Sequence, residues 1–509
     1  MIPWTTAALA TAVGAKLSPE ADQNQTVQGV VIDSRQAGPG VVFVALEGTR
    51  VHGADFVEDA FKRGSPLAVV DRAVPGPTVL VPDAARALGH MAEMMLRRAR
   101  MAAHAPKVIA ITGSVGKTTT KDLLARIARQ AGRTVAAAGS QNNHLGVPLT
   151  VLQTGEATDY LILEMGANHE GEIANLAQIA PPDVAVVLGV SDAHLGEFGS
   201  LEAIARTKAE LLQALRPDGF AVVNMDDPLV AAMTFQSPER TITFGVDGMA
   251  RIRMFDVSTR PSGELSLCLE DQDRKQTVRI DTALTGEQLA IDVAAAVAAA
   301  TAAGIDIRAS AAALAGAGPA SPHRMAVWRL PGGATLVDDS YNASPESMAA
   351  GIRSAAALAR GDGLPATAVL GPMLELGNAS RAQHRAAGEL AAREGFSHLI
   401  VVGREARPIH QGAIAAGLPE DAAEFRLNAD GLADRIRELD RPGFILIKAS
   451  QGARLWRVAD QLTRPLTEGT GGPGPEGPAG GDNPAASGNS VAPGSPAGDG
   501  DPTPGGGPP

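Results

Sequence analysis

Lys107-Val-Ile-Ala-Ile-Thr-Gly-Ser-Val-Gly-Lys-Thr-Thr-Thr120 is the stretch whose reading decides the fold. Val108 to Ile111 is a short apolar run that reads as a buried strand. Gly113, Ser114, Val115 and Gly116 make a glycine turn, and Lys117, Thr118 and Thr119 open a helical pattern that continues through Leu123, Leu124, Ile127 and Ala128. A strand, a glycine loop and a helix N-terminus together form an anion site: backbone N–H groups converge on a phosphate, the helix dipole favours its charge, and a lysine adds a point charge. The Thr118 hydroxyl stands where such loops hold Mg²⁺. The usual P-loop has a first glycine at the position of Ile111, so G-S-V-G-K-T is a compact variant.

Working outward, strands and helices alternate. Strands are expected at 107–112, 134–138, 160–166, 184–190, 220–225 and 241–244, and helices at 117–131, 170–180, 201–215 and 286–303. That alternation predicts a mostly parallel sheet covered on both faces, with ligands at the carboxyl ends of its strands. Polar clusters fall at several of those ends. Gln141-Asn142-Asn143-His144-Leu145-Gly146-Val147-Pro148 reads either as a shaped binding loop or as a plain turn. Glu164 ends the strand Leu161-Ile162-Leu163 and is the natural second Mg²⁺ ligand, with a capping or surface carboxylate as the alternative. His194, after Val184 to Val190, is a metal or phosphate ligand or a structural loop histidine. Lys208 lies on an amphipathic helix, where most lysines are simply solvated.

The chain is α/β throughout. Its 509 residues suggest about three domains. Residues 1–82 read as a small N-terminal α/β domain with strands at 30–32, 41–45 and 67–70, and with Asp33-Ser34-Arg35 as a polar turn between two of them. Residues 83–318 are the central P-loop domain. Residues 319–464 form a second open, Rossmann-like α/β sheet without a GxGxxG fingerprint. In it, Asp338-Asp339-Ser340-Tyr341-Asn342 ends a strand, and Ser344 and Pro345 begin a helix. Residues 465–509 are Gly, Pro, Ala and Ser with five acids and no Lys or Arg, a composition expected to be disordered.

A formal net charge of −12 argues against a nucleic-acid partner. Cys268 is the single cysteine, which rules out an intrachain disulfide and a Cys-rich metal site. The first residues have no basic segment followed by an apolar core of signal length, and no run of about 18 apolar residues occurs. A cytoplasmic protein without membrane insertion is expected.

In this order, the clusters resemble the Mur ligases, ATP-dependent amide-forming enzymes of peptidoglycan synthesis. The resemblance is carried by Asp33-Ser34-Arg35, Thr112 to Thr120, Asn142 to Pro148, Glu164-Met-Gly-Ala-Asn168, His194-Leu-Gly, Lys208-Ala-Glu, Asp338 to Pro345 and Glu375-Leu-Gly377. It implies ATP and Mg²⁺ as cofactors. The substrates implied are UDP-N-acetylmuramoyl-tripeptide, whose UDP end lies near Ser34, and D-alanyl-D-alanine. It also implies Lys117 on the phosphates, and Thr118, Glu164 and His194 at the metal. Lys208 corresponds to a lysine that is carbamylated in several members, where it helps place a second Mg²⁺; with Lys117 and His194 it makes up the implied catalytic set. Asn142 and Asn143 would line the muramoyl-peptide site. Arg324, Asp339 and Asn342 would reach the nucleotide, and Asn342 and Glu375 the dipeptide. A monomer is expected. The chain departs from the family's usual pattern at Gly286-Glu-Gln-Leu-Ala-Ile-Asp292, on the adenine side, and also at His52, Pro372 and Lys448-Ala-Ser-Gln451. Sister ligases adding meso-diaminopimelate or lysine usually show an Asp-Asn-Pro-Arg-like motif, which is absent. The other readings weighed are a folylpolyglutamate-type ligase, a P-loop switch ATPase and a nucleotide-sugar scaffold.

Overall fold

The computed structural model describes residues 1–191, 195–233, 238–260 and 263–468. The first unit is a parallel sheet of four strands in the order Gly29–Val31, Val41–Ala45, Ala68–Val70, Thr78–Leu80. Val42 and Val44 on one face and Phe43 and Ala45 on the other are buried, as expected where a parallel sheet is covered on both faces. Asp33 accepts a hydrogen bond from the Arg35 backbone N–H and starts the short turn Ser34–Gln36 at one strand end.

Helix Ala84–Met101 joins this unit to the next. Asp83 caps it by accepting from the Arg86 N–H, and its buried stripe (Leu88, Met91, Met95, Ala99) follows the 3–4 residue helical repeat. One continuous apolar cluster contains Val42 and Val69 of the first sheet, Leu88 and Met91 of this helix, and Val108 and Leu161 of the central sheet. The N-terminal unit is therefore set firmly on the central one.

The central sheet has nine strands, ordered Gln276–Thr285, Glu264–Asp271, Ile252–Thr259, Thr241–Gly245, Phe220–Asn224, Val184–Val187, Lys107–Thr112, Tyr160–Glu164, Thr134–Ala136. The strands between 107 and 245 run parallel, as expected. The sheet is mostly parallel, as expected; strand Ile252–Thr259 still pairs in parallel with Thr241–Gly245, and only the edge, where Glu264–Asp271 and Gln276–Thr285 follow in an antiparallel meander, departs from the pattern. Its signal was present in the sequence: Leu265, Leu267 and Leu269, every second residue, are fully buried. The stretch Gln141 to Pro148, read as a binding loop or turn, runs at its end into a short helix, Gly146–Val151. Apart from Asp292 and Thr301, helix Ala290–Ala302 is apolar all round and buried, and its alanines share a core with Leu124 and Ala128 of the P-loop helix.

The C-terminal sheet runs Ala326–Arg329, Ala334–Asp339, Gly443–Lys448, Ala366–Leu370, His398–Val402, Ala423–Arg426, all parallel apart from the first strand. Helix Pro345–Asp362 starts with Ser344 in a reciprocal capping box with Ser347 and with Pro345 in its first turn. The last helix, Trp456–Glu468, continues past the expected domain end at 464. The reading of 469–509 as disordered lies outside the described residues. Among the described residues no helix is long and apolar enough to cross a membrane.

Candidate active site

The P-loop follows a fully buried strand. Gly116 has φ +86°, a left-handed conformation that favours glycine, and a Cβ there would stand 2.2 Å from Asp292 Oδ1. Both backbone and space therefore require glycine. A Cβ on Gly113 would stand 2.8 Å from that of Leu188. The Ser114 N–H donates to Gly189 O at 2.9 Å, and its hydroxyl accepts from the Ser191 N–H at 3.0 Å, so the loop is tied to the end of the neighbouring strand. Val115 is exposed at the tip. Helix Lys117–Ala131 has no side-chain cap, which leaves the N–H groups of its first turn, Thr119 included, available to an anion. Lys117 Nζ donates to Gly113 O at 2.7 Å and Ser114 O at 3.1 Å, folding back over the loop. Burial holds its pKa below the ordinary lysine value.

Glu164 is the hub. It is 1% exposed. Its Oε2 accepts from the Thr118 hydroxyl at 2.8 Å, and its Oε1 accepts from Ser140 Oγ at 2.9 Å and Asn142 Nδ2 at 2.8 Å. Asn142 thus joins the carboxylate, whereas Asn143 Oδ1 accepts the Leu145 and Gly146 N–H groups and holds the turn into helix Gly146–Val151. Lys121, missed in the sequence, sets this loop. Fully buried, it donates to Ala137 O and Gly139 O at 2.7 Å each and pairs with Asp122 at 2.8 Å. Its place four residues after Lys117, on the buried side of an amphipathic helix, was the available clue.

The C-terminal domain reaches into the same place. Arg324 Nη2 donates to Thr118 Oγ1 at 3.0 Å, and its guanidinium lies 4.3 Å over the Tyr341 ring. His323 beside it is clamped by Asp338 at 2.7 Å. Asp339 pairs with the buried Lys448 at 2.5 Å, and Lys448 also donates to the backbone carbonyl of Asn342 at 3.0 Å. Burial raises the Asp339 pKa, opposed by the Lys448 charge. The sequence reading noted Lys448 only as part of the segment Lys448-Ala-Ser-Gln451 and gave it no role. Asp292, flagged only as a departure, packs its carboxyl against Gly116, and burial pushes its pKa up to about 8.

Lys208, on helix Leu201–Gln213, is buried and has no hydrogen-bond or ion-pair partner among the described residues. Burial, followed by the charge of Lys117, lowers its pKa to about 7. His194 lies outside the described residues. Ser34 is half-buried in its turn on the first unit, apart in sequence and sheet from the P-loop cluster. Glu375 has φ +63° and an exposed side chain, and its carbonyl accepts from the Gly196 N–H at 3.2 Å, another contact between the two large domains.

Among the described residues, no three His, Cys, Asp or Glu side chains cluster as a metal site. The oxygen set is Thr118 and Glu164. One hydroxyl and one carboxylate suit Mg²⁺, which commonly completes its shell with substrate phosphates and water.

A fold of two facing α/β domains, with a P-loop, a buried carboxylate and an arginine brought across from the second domain, defines an ATP-using class. The chain belongs to the Mur ligase family: the Mur ligase middle domain matches residues 111–300, the Mur ligase glutamate ligase domain residues 323–451, and the Mur ligase family catalytic domain residues 26–101. Within the family it is similar to the UDP-N-acetylmuramoyl-tripeptide–D-alanyl-D-alanine ligase of Mycobacterium tuberculosis, 39% identical over 511 residues, with 92% of this chain and 99% of the relative covered. The enzyme of the same name from Escherichia coli is 32% identical over 459 residues, with 86% and 94% covered. Among solved structures, MurF from Acinetobacter baumannii matches with a TM-score of 0.78 and 28% identity over 91% of this chain and 99% of that one. MurF ligase from Thermotoga maritima in complex with ADP matches with a TM-score of 0.70 and 28% identity over 87% and 98%.

Proposed function

We propose that the chain joins D-alanyl-D-alanine to UDP-N-acetylmuramoyl-tripeptide at the expense of ATP, a step in the synthesis of peptidoglycan precursors. The observation that carries this reading is the Lys117–Thr118–Glu164–Arg324 cluster, assembled from two domains in a chain that matches the D-alanyl-D-alanine-adding ligases over nearly its whole length.

The chemistry follows from the charges. A peptide carboxylate is a poor electrophile, and it must approach an anionic phosphate. Lys117 and the open helix N-terminus neutralise the γ-phosphate, and Arg324 adds a cation from the facing domain. Thr118 and Glu164 would hold Mg²⁺, which when bound offsets charge on the phosphate oxygens. A tripeptide carboxylate oxygen attacks the γ-phosphorus, and the bond to ADP breaks. The amine of D-alanyl-D-alanine then attacks the acyl carbon, loses a proton, and expels phosphate. Water must be kept out at the acyl-phosphate stage, which closure of the central and C-terminal domains would achieve.

In this reading residues 1–82, with Ser34, hold the UDP end; 83–318 bind ATP; and 319–464 bring the acceptor, with Asn143, Asn342 and Glu375 at the substrates and His194 near the metal. Lys208 meets the requirement for carbamylation, a neutral amine near pH 7. The reaction belongs to the cytoplasm, where ATP and UDP-linked precursors meet, and a monomer suffices for it.

Purified protein assayed with ATP and the UDP-linked tripeptide should release phosphate only when D-alanyl-D-alanine is added, with the amide product seen by mass. Turnover that needs no acceptor, or that needs a diamino acid instead, would refute the reading.

A further inference from the structure

Arg324 stands between residues in the left-handed backbone conformation that favours glycine: His323 has φ +61° and Met325 φ +50°. Backbone of this kind persists only where its surroundings hold it. Part of the hold is local. The Tyr341 N–H donates to the His323 carbonyl at 3.1 Å, and the Met325 N–H donates to Asp339 Oδ1 at 3.3 Å. Just upstream, the Ser321 hydroxyl donates to Asp122 Oδ2 at 2.5 Å, which ties the segment to the P-loop helix.

The rest of the hold is the His323 ring. Its Nδ1 lies 2.7 Å from Asp338 Oδ2, and its Nε2 lies 3.5 Å from Asp460 Oδ1 on the last helix, Trp456–Glu468. The Asp338 side chain is 3% exposed, and its other oxygen accepts from the Ser340 N–H at 3.2 Å and the Ser340 hydroxyl at 2.5 Å, so this carboxylate cannot turn away. The Trp456 ring lies 6.1 Å from the imidazole. A neutral imidazole has one N–H and could donate to only one of its carboxylates; the imidazolium donates to both. Burial opposes that charge, but the hydrogen bond to Asp338 and the charges of Asp338 and Asp460 outweigh it and hold the pKa above the ordinary histidine value. Asp460 also feels Arg464, one turn further along its helix.

We propose that His323 is a positioning residue for the nucleotide step: as an imidazolium bridging Asp338 and Asp460, it locks the backbone that aims Arg324 at Thr118 and the phosphate site. The inference rests on the place given to Arg324 in the reading above. A residue that acts through another loses its effect when that other is gone, whereas a residue that only supports the fold does not.

The test is a double-mutant cycle on the full chain, read as the KM for ATP and as the Kd for a non-hydrolysable ATP analogue at fixed Mg²⁺. His323→Ala should raise both about fivefold and leave the KM values for the UDP-linked tripeptide and the dipeptide unchanged. In an Arg324→Ala background the same change should add almost nothing. His323→Asn, which tolerates left-handed backbone and can still donate to Asp338, should recover most of the loss. The wild-type KM for ATP should rise about threefold as pH climbs through the imidazole's titration; this rise should be absent in His323→Asn. Asp460→Asn, at a half-exposed position, should move the rise to lower pH. Independent, multiplying effects of His323→Ala and Arg324→Ala, or a His323→Ala enzyme with wild-type affinity for the analogue, would overturn the assignment. Should His323→Ala not fold, the pH profiles decide: a rise unchanged in both His323→Asn and Asp460→Asn would overturn it equally. Analogue binding needs neither peptide substrate, so a wild-type enzyme that makes no product with the dipeptide would overturn the ligase reading and leave this result standing.

Discussion

Replacing Glu164 by Gln removes one charge from the centre of the site and almost no volume. The carboxylate accepts three hydrogen bonds, from Thr118 on one oxygen and from Ser140 and Asn142 on the other. The Gln carbonyl can keep the Ser140 and Asn142 bonds. Its NH₂ then faces the Thr118 hydroxyl, which has two lone pairs and already accepts from Arg324, so the amide can donate to it and only the Thr118 O–H loses its acceptor. The fold should survive, with a melting point within about 4 °C of wild type, because weaker neutral hydrogen bonds are offset by relief of a buried charge. Activity should not survive. A unit charge about 4 Å from an opposite charge is worth about 4 kcal/mol at an effective dielectric of about 20. Losing it predicts a fall in kcat/KM of about 10²–10³, together with a higher Mg²⁺ requirement. Acceptor-dependent phosphate release, measured across a Mg²⁺ titration, reads both. Wild-type turnover with an unchanged Mg²⁺ midpoint would refute the role given to Glu164.

Two further outcomes follow from the same geometry. Arg324→Ala removes both the Thr118 bond and the stack on Tyr341, so the KM for ATP should rise by about tenfold or more while the melting point moves little; Arg324→Lys should recover part of the loss, since it restores the charge without the planar fork. Lys208 has a folded pKa of about 7 against an ordinary 10.5, so its burial penalises the protonated form. The sign is fixed by proton uptake: the unfolded chain binds the extra proton, the penalty is full below about pH 7, and it fades as pH rises toward the ordinary lysine value. Urea unfolding should therefore show Lys208→Met stabilising the chain at pH 7 and less so at pH 9, while product formation falls; an equal effect at both pH values would contradict the burial argument.

What the sequence made legible is local. Lys107 to Thr120 is strand, loop and helix in direct succession, so its anion site could be read residue by residue. Glu164 could be read because an acid stands at the tip of an apolar run. Arg324, Asp339 and Asn342 were placed only by family resemblance, since their partners, Thr118 and Lys448, are more than a hundred residues away along the chain. Ser140 and Lys121 were missed, and Lys448 was named without a role, for the same reason: their roles exist only after packing brings distant carbonyls and carboxylates to them. The antiparallel edge at 252–285 is a different failure. Its alternating leucines were visible, but the regular strand–helix alternation upstream suggested that the parallel pattern ended at 244. Asp292 shows how a departure from pattern gains meaning. In sequence it only weakened the adenine side, whereas in the fold it packs a buried carboxyl against the P-loop glycine.

The central claim is that ATP activates the tripeptide carboxylate itself. Oxygen-18 in both carboxylate oxygens of the UDP-linked tripeptide tests it most directly. If the carboxylate attacks the γ-phosphate, each phosphate released during ligation carries one labelled oxygen, and the amide product keeps the other. Phosphate released without label, alongside normal amide formation, would contradict the account.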